Sequence, residues 1–376
     1  MFNGKRILFV AGGTGGHINP ALSVAGLIRE RCPKADILFV GTADRMEARL
    51  VPNAGFKFRT IDISGFQRSL SVKNIKRNLG TLSKLLKSSS QAKKIIIDFK
   101  PDVVVGFGGY VSGPVVRMAS KLGIPTAIHE QNAYPGVTNK SLAGKVDTVM
   151  LTVEQAQKYL NPKNPPVLTG LPVRGDIVAA DRTQSRFELG LDDGVPMILS
   201  MGGSLGARTV NEAVAELIAA KWKDGDCTFH HAYGQYGKWF PDKLREKGVD
   251  FENNKDIYIC EYIDDMARCL SAADIVICRA GASSLSEFEA AGKASILIPS
   301  PNVAENHQYR NAMALVENGA AIIIEEKDLN GEKLTAQVND LIKNPEKIRN
   351  LCENAKKMAV PDAADRIYNC LAALLK

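Results

Sequence analysis

An apolar run, Arg6-Ile-Leu-Phe-Val-Ala11, stops at Gly12-Gly-Thr-Gly-Gly-His17, and the same punctuation returns in the second half, where Met197–Met201 stops at Gly202-Gly-Ser-Leu-Gly-Ala207. A short continuous apolar run bounded by glycine fits a strand buried on both faces, and such strands belong to parallel sheets. Parallel neighbours cannot be joined by a hairpin, so each strand needs a crossover, usually a helix. The chain supplies them. Strand patterns at Ile7–Ala11, Ile37–Val40, Phe58–Ile63, Val103–Gly106, Thr126–His129 and Thr148–Leu151 alternate with helical spacing near 20–31, 44–53, 72–98, 112–122 and 137–143. The second half repeats the scheme with Met197–Met201, Cys227–Ala232, Ile257–Glu261, Ile275–Cys278, Ser295–Ile298 and Ala321–Ile324. The expected fold class is α/β, with doubly wound, Rossmann-like sheets.

A length of 376 residues accommodates two such domains, each with its own core. The prolines and glycines of Asn161–Gly175 mark an inter-domain hinge. The expected domains are 1–167 and 168–361, with 362–376 folding back onto the first. Its amphipathic segment Ala363–Leu375 follows the break at Val360-Pro-Asp362.

Seven scattered cysteines form no C-x-x-C pair, which suits reduced, packed thiols in a cytoplasmic protein rather than a disulfide framework or a metal site. No apolar stretch approaches the roughly 20 residues of a membrane span. The net charge of +7 is concentrated: residues 68–100 hold nine basic side chains and one acid, Asp98. Such a local excess calls for an acidic partner. No aromatic residue lies between Gln67 and Ile97, so base stacking is absent and nucleic acid is not the expected partner. Within this segment Val72, Ile75, Leu79, Leu82 and Leu86 recur at helical spacing, interleaved with Lys73, Lys76, Arg77, Lys84 and Lys87. That pattern is either an ordinary amphipathic helix with a solvated basic face or one that lies on an anionic membrane surface.

Three glycine loops follow strands: Gly12–His17, Gly106–Gly113 and Gly202–Ala207. Each would sit at the carboxyl end of a parallel strand, where open α/β sheets bind ligands. Glycine there either permits a tight turn or lets backbone N–H groups approach an anion. The nicotinamide fingerprint fails, because reading from Gly13 the third glycine would fall at Ile18; a P-loop is also absent. A fourth loop, Arg279-Ala-Gly-Ala-Ser-Ser-Leu-Ser-Glu287, would open a helix with serine as N-cap, a site suited to a diphosphate. Glu287, one turn on, could accept from ribose hydroxyls or could simply be an acid favoured by the helix dipole. Of five histidines, His230 and His231 have no partner motif and are expected to be structural; His17, His129 and His307 fall in polar clusters at strand ends.

Taken together, GGTGGH (12–17), GFGGYVSGP (106–114), HEQN (129–132), Pro-Val-Arg (172–174), GGSLGA (202–207), IDDM (263–266), CRAGASSLSE (278–287) and NHQYRNA (306–312) resemble the family-28 glycosyltransferases of bacterial cell-wall synthesis, in the family's order. The resemblance implies two domains facing across a cleft, the glycosyltransferase B architecture. It implies UDP-N-acetylglucosamine as donor and a muramoyl-pentapeptide on a polyprenyl diphosphate as acceptor, at the cytoplasmic face of the cell membrane. The donor would be held by Arg174, Ser204, the Ile263 backbone, Ala282, Ser283, Ser284, Leu285, Ser286, Glu287, His307 and Gln308, and faced from the first domain by Thr14, Gly15, Gly16 and Asn132. The acceptor diphosphate would meet Gly13, Gly108, Gly109, Tyr110 and Ser112. Membrane docking would use Lys73, Ile75, Lys76, Arg77, Leu79 and Leu82. One departure is His307, where some relatives carry glutamine.

Transfer from an α-linked nucleotide sugar to a β product inverts the anomeric centre and needs a base for the acceptor hydroxyl. His17 is the first candidate and His129 the second; an imidazole titrates near the working pH. Helix N-terminal N–H groups would stabilise the departing UDP, so neither a metal nor an organic cofactor is expected. Four other readings remain: transfer to diacylglycerol, UDP-N-acetylglucosamine 2-epimerisation, nicotinamide chemistry using Asp44, and a non-catalytic module that binds UDP-sugar without turnover.

Overall fold

The computed structural model describes residues 1–63 and 87–375. The chain divides into two compact units, Met1–Pro172 with Asp362–Lys376, and Val173–Pro361.

The first unit is built on a parallel sheet of β1 (Arg6–Val10), β2 (Asp36–Gly41), β3 (Lys57–Thr60), β4 (Val103–Gly106), β5 (Thr126–Glu130), β6 (Thr148–Leu151) and β7 (Val167–Leu168), in the order β3-β2-β1-β4-β5-β6-β7. The central strands are buried on both faces. On β1, Ile7 and Phe9 pack with Val24 and Ile28 of the helix Gly15–Arg31, while Leu8 and Val10 face Val104, Val115 and Val116. This two-sided burial explains why the sequence reads as a continuous apolar run rather than an alternating one. The helix Ala363–Ala373 returns to this unit. Tyr368 meets Phe2 edge-on at 4.9 Å, and Arg31 pairs with Asp365 at 2.5 Å.

The second unit carries β8 (Met197–Met201), β9 (Thr228–Ala232), β10 (Ile257–Cys260), β11 (Ile275–Cys278), β12 (Ala294–Leu297) and β13 (Ile322–Ile323), all parallel, in the order β10-β9-β8-β11-β12-β13. In both units the strand order reverses beside the first strand: between β1 and β4, and between β8 and β11. A doubly wound sheet binds ligands outside the carboxyl ends of its strands at such a switch point. The four glycine- and serine-rich loops leave those four strands.

Two details depart from the sequence reading. The proline-rich segment expected to be only a hinge contains β7, which pairs with β6 through Met150–Val167 and Leu151–Leu168. As a two-residue exposed edge strand it carries no apolar run to detect. The long helix Pro345–Met358 also goes unread in the sequence, because it is largely polar and buries only Leu351 and Ala355.

Candidate active site

At the first switch point the loop from β1 turns through Gly13 (φ 92°) into the helix Gly15–Arg31. That helix has no acidic residue in its first turn. The N–H groups of Gly15 and Gly16 have no partner within the helix, as at any helix start. His17 is the third helical residue, and its Nδ1 lies 3.0 Å from the Gly12 carbonyl oxygen. A carbonyl only accepts, so Nδ1 carries the hydrogen; in the neutral ring Nε2 is then the basic nitrogen.

The β4 loop packs directly on this arrangement. A Cβ on Gly108 (φ 106°) would come 2.7 Å from His17 Cδ2, and one on Gly109 (φ 81°) would come 2.4 Å from the Gly12 carbonyl oxygen. These glycines therefore make room for the imidazole and its supporting peptide. Ser112 departs from its expected role at the acceptor. It is fully buried, and its Oγ donates to the Gly108 carbonyl at 2.7 Å, so it shapes the loop rather than meeting a ligand. The N–H of Gly13 is taken by Glu47 Oε2 at 2.9 Å, so it is not free for an anion. Tyr110, by contrast, is 60% exposed at the loop tip.

His129 does not fit the role of second candidate base. Its ring is buried, Nε2 donates to the Gly170 carbonyl at 2.9 Å, and Nδ1 receives Gln131 Nε2 at 3.1 Å. Burial lowers its pKa to about 4, so it is neutral and sealed from solvent. Its neighbour Glu130 organises the following turn: Oε1 accepts from the Asn132 N–H and Nδ2, and Oε2 from the Gly136 N–H and Asn139 Nδ2. Asn132 is thereby positioned at the end of β5.

In the second unit the loops from β8 and β11 are adjacent. Ser204 is exposed in the first of them. The helix Ala282–Ala291 is capped by Gly281, not by serine, and has no acid in its first turn. Ala282, Ser283 and Ser284 form that turn, and the Ser283 hydroxyl is buried with no hydrogen-bond partner. Leu285 and Ser286 are buried behind it. Glu287 is the sixth residue of that helix, past the first turn, where the pull of the helix dipole on an acid has largely fallen away. Burial raises its pKa, and Arg174, with Nε 3.7 Å from Glu287 Oε1, opposes that rise.

Ile263 is buried in the segment after β10. Before the helix His307–Val316 the backbone is left-handed at Glu305 (φ 56°) and Asn306 (φ 50°), a local strain of a kind that clusters at functional sites. Gln308 Oε1 accepts from the Ser300 N–H at 2.8 Å, and His307 Nδ1 donates to the Ala304 carbonyl at 2.8 Å.

The remaining candidates separate from these clusters. His230 and His231 are buried in β9, their pKa values lowered by burial to about 4 and about 3. The chain does contain an Asp-x-Asp, Asp224-Gly-Asp226, a pattern able to chelate a cation. Both carboxylates instead hold Lys221 Nζ, at 3.1 and 2.8 Å. Lys73, Ile75, Lys76, Arg77, Leu79 and Leu82 lie outside the described residues. Beyond them, a helix over residues 87–99 buries Ala92, Ile95 and Ile96 and exposes Lys87, Lys93 and Lys94. Among the described residues no helix is long and apolar enough to cross a membrane.

Residues 7–151 match the glycosyltransferase family 28 N-terminal domain, and residues 197–367 the glycosyltransferase family 28 C-terminal domain. A relative from Acetivibrio thermocellus, named UDP-N-acetylglucosamine–N-acetylmuramyl-(pentapeptide) pyrophosphoryl-undecaprenol N-acetylglucosamine transferase, is 42% identical over 371 residues, covering 99% of this chain and 98% of its own. The chain belongs to glycosyltransferase family 28. A relative of the same name from Desulforamulus reducens is 43% identical over 98% of this chain and 99% of its own. Among solved structures, the MurG of Acinetobacter baumannii superposes with a TM-score of 0.80 at 30% identity, covering 98% of this chain and 99% of that one. The calicheamicin glycosyltransferase CalG4 (TM-score 0.70, 15% identity) shares the fold, as does the Staphylococcus aureus MnaA–UDP structure (0.67, 16%). The chain is thus a glycosyltransferase with two Rossmann-like α/β domains of the glycosyltransferase B type.

Proposed function

We propose that this enzyme transfers N-acetylglucosamine from UDP-N-acetylglucosamine to the muramoyl-pentapeptide of a polyprenyl-diphosphate lipid, with inversion. The observation that carries this reading is similarity, end to end, to relatives named for that reaction at 42–43% identity. The donor reading is supported by the helix Ala282–Ala291, where free first-turn N–H groups and the Ser283 hydroxyl suit a diphosphate. Glu287, oriented by Arg174, is suited to a pair of ribose hydroxyls. Ser204 and the Ile263 backbone would complete the nucleotide's contacts, and His307 and Gln308 would meet the sugar.

The acceptor belongs with the first unit. There Gly13, Gly108, Gly109 and Tyr110 would meet it, and Thr14, Gly15 and Gly16 would face the donor. His17 Nε2 takes the proton as the acceptor hydroxyl attacks the anomeric carbon, and the C1–O bond to UDP breaks in line. The developing charge on UDP is met by the helix N-terminus, which needs no reorganisation to do so. The basic stretch 68–100 would hold the enzyme against the anionic cytoplasmic face of the cell membrane, where the lipid acceptor resides.

The experiment is transfer of radiolabelled N-acetylglucosamine from the UDP donor to a short-chain muramoyl lipid diphosphate, with diacylglycerol and acceptor-free arms alongside. Labelled disaccharide lipid supports the proposal. Labelled glycolipid from diacylglycerol alone, or UDP release without acceptor, overturns it in favour of the diacylglycerol transferase or the 2-epimerase.

A further inference from the structure

The peptide group joining Gly12 to Gly13 is hydrogen-bonded at both ends. Its carbonyl accepts from His17 Nδ1 at 3.0 Å, and its N–H donates to Glu47 Oε2 at 2.9 Å. Glu47 begins the short helix Glu47–Asn53 and is fully buried. Its second oxygen accepts from the Thr42 N–H at 3.0 Å and from the Thr42 hydroxyl at 2.8 Å. Three groups therefore stand in series: a buried carboxylate, one peptide unit and the imidazole.

We propose that Glu47 is a positioning residue for His17, acting through the Gly12–Gly13 peptide. The proposal rests on the reading of His17 as the base, and it accounts for features that a simple loop brace does not require. A carboxylate accepting from a peptide N–H shifts electron density onto that peptide's carbonyl, which becomes a better acceptor. Hydrogen bonds in a chain polarise one another by about 10–30% per bond. The effect is to hold the hydrogen on Nδ1, keep the lone pair on Nε2, and favour the imidazolium formed when Nε2 takes a proton. The carboxylate of a serine-protease-type triad acts similarly by direct contact; here one amide group intervenes.

The space around the relay is kept clear by glycine. A Cβ on Gly12 would fall 2.7 Å from Glu47 Oε1, and one on Gly41 would fall 2.5 Å from Glu47 Cγ. The other ionisable side chains of the two flanking loops, Asp44, Arg45 and Tyr110, are exposed at the loop tips.

The test uses the full-length protein with 15N-labelled histidine, the His17 signals being assigned by their loss in His17→Ala. Wild type should show the hydrogen on Nδ1. Glu47→Gln, which removes the charge and one acceptor, should lower the Nδ1–H population. It should also reduce kcat about 10–100-fold, the range seen when the group orienting a metal-ligating histidine is lost, with KM for UDP-N-acetylglucosamine within twofold. The wild-type spectrum alone overturns the proposal if the hydrogen sits on Nε2, even should Glu47→Gln fail to fold. An unchanged tautomer and kcat in a folded Glu47→Gln also overturns it. If His17→Ala keeps its turnover, the base assignment fails, while the tautomer measurement still decides the relay.

Discussion

Arg174 and Glu287 lie 113 residues apart in sequence, yet Arg174 Nε sits 3.7 Å from Glu287 Oε1. One comes from the segment entering the second unit, the other from the second turn of the helix after β11. Burial raises the Glu287 pKa, and the guanidinium limits the rise by favouring the charged form.

Glu287→Gln should weaken UDP binding by about tenfold or more, since a hydrogen bond to a charged group contributes about 1.5–3 kcal/mol. Only the carboxylate accepts from two hydroxyls at full strength. UDP affinity should therefore fall with acidification as Glu287 takes up its proton, and at a higher pH than an ordinary glutamate would allow. Titration calorimetry with UDP from pH 8 to 5 should show this loss in wild type and a flatter profile in Glu287→Gln.

His17→Ala should lower kcat by about 10²–10⁴, the usual contribution of a positioned general base. UDP binding should not change, because the proposed nucleotide contacts belong to the second unit. Steady-state kinetics beside calorimetry separates the two, and an unchanged kcat removes His17 from the role.

Gly109→Ala places a methyl 2.4 Å from the Gly12 carbonyl oxygen at φ 81°, a conformation alanine rarely adopts. It should cost about 1–3 kcal/mol of stability and lower kcat, because the displaced peptide is the one that holds His17. Gly113→Ala meets only Thr138 Cγ2, at 3.7 Å, and should leave both quantities nearly unchanged. Thermal denaturation and turnover of the two variants make the comparison.

Three buried histidines set an acid limit on stability. Burial lowers the pKa of His129 and His230 to about 4 and that of His231 to about 3. In the unfolded chain each titrates near 6.5. Between roughly pH 6.5 and 4 the unfolded state binds these protons and the folded state does not. Stability is therefore present above pH ~6.5 and drains as pH falls, by up to about 3 kcal/mol per histidine. Calorimetric melting from pH 7.5 to 4.5 should show that decline. His230→Phe, at a ring whose Nδ1 has no hydrogen-bond partner, should make it shallower.

The legible part of this protein is the part written in local pattern. Ile7–Ala11 and Met197–Met201 announce strands because burial on both faces demands unbroken apolar residues, and the glycines after them announce turns. Those runs imply the α/β class and put the loops at strand ends. Motif order across the chain carried the family. Glycine, however, has more than one use, and its presence does not say which applies. Gly108 and Gly109 read as an anion cradle in the sequence; folded, they also clear space for an imidazole and a carbonyl, a use the sequence does not show.

Protonation and partnership were decided only by the tertiary structure. His17 and His129 are the same residue type, one just past the glycine loop after β1 and the other within β5. One has its Nδ1–H set by a neighbouring carbonyl at a half-buried loop, while the other is sealed behind Gly170 and Gln131 and held neutral. Glu47 offered no motif at all. It lies 34 residues from Gly13, and only the pairing of β1 with β2 brings its carboxylate to that peptide's N–H. Sequence by itself determined the strands, turns and helices that carry a clear apolar period, because those follow from short-range periodicity and backbone freedom; β7 and the polar helix Pro345–Met358 carry none. Which buried polar atoms meet, and hence which histidine can accept a proton, depends on contacts between distant segments that the packed sheet alone creates.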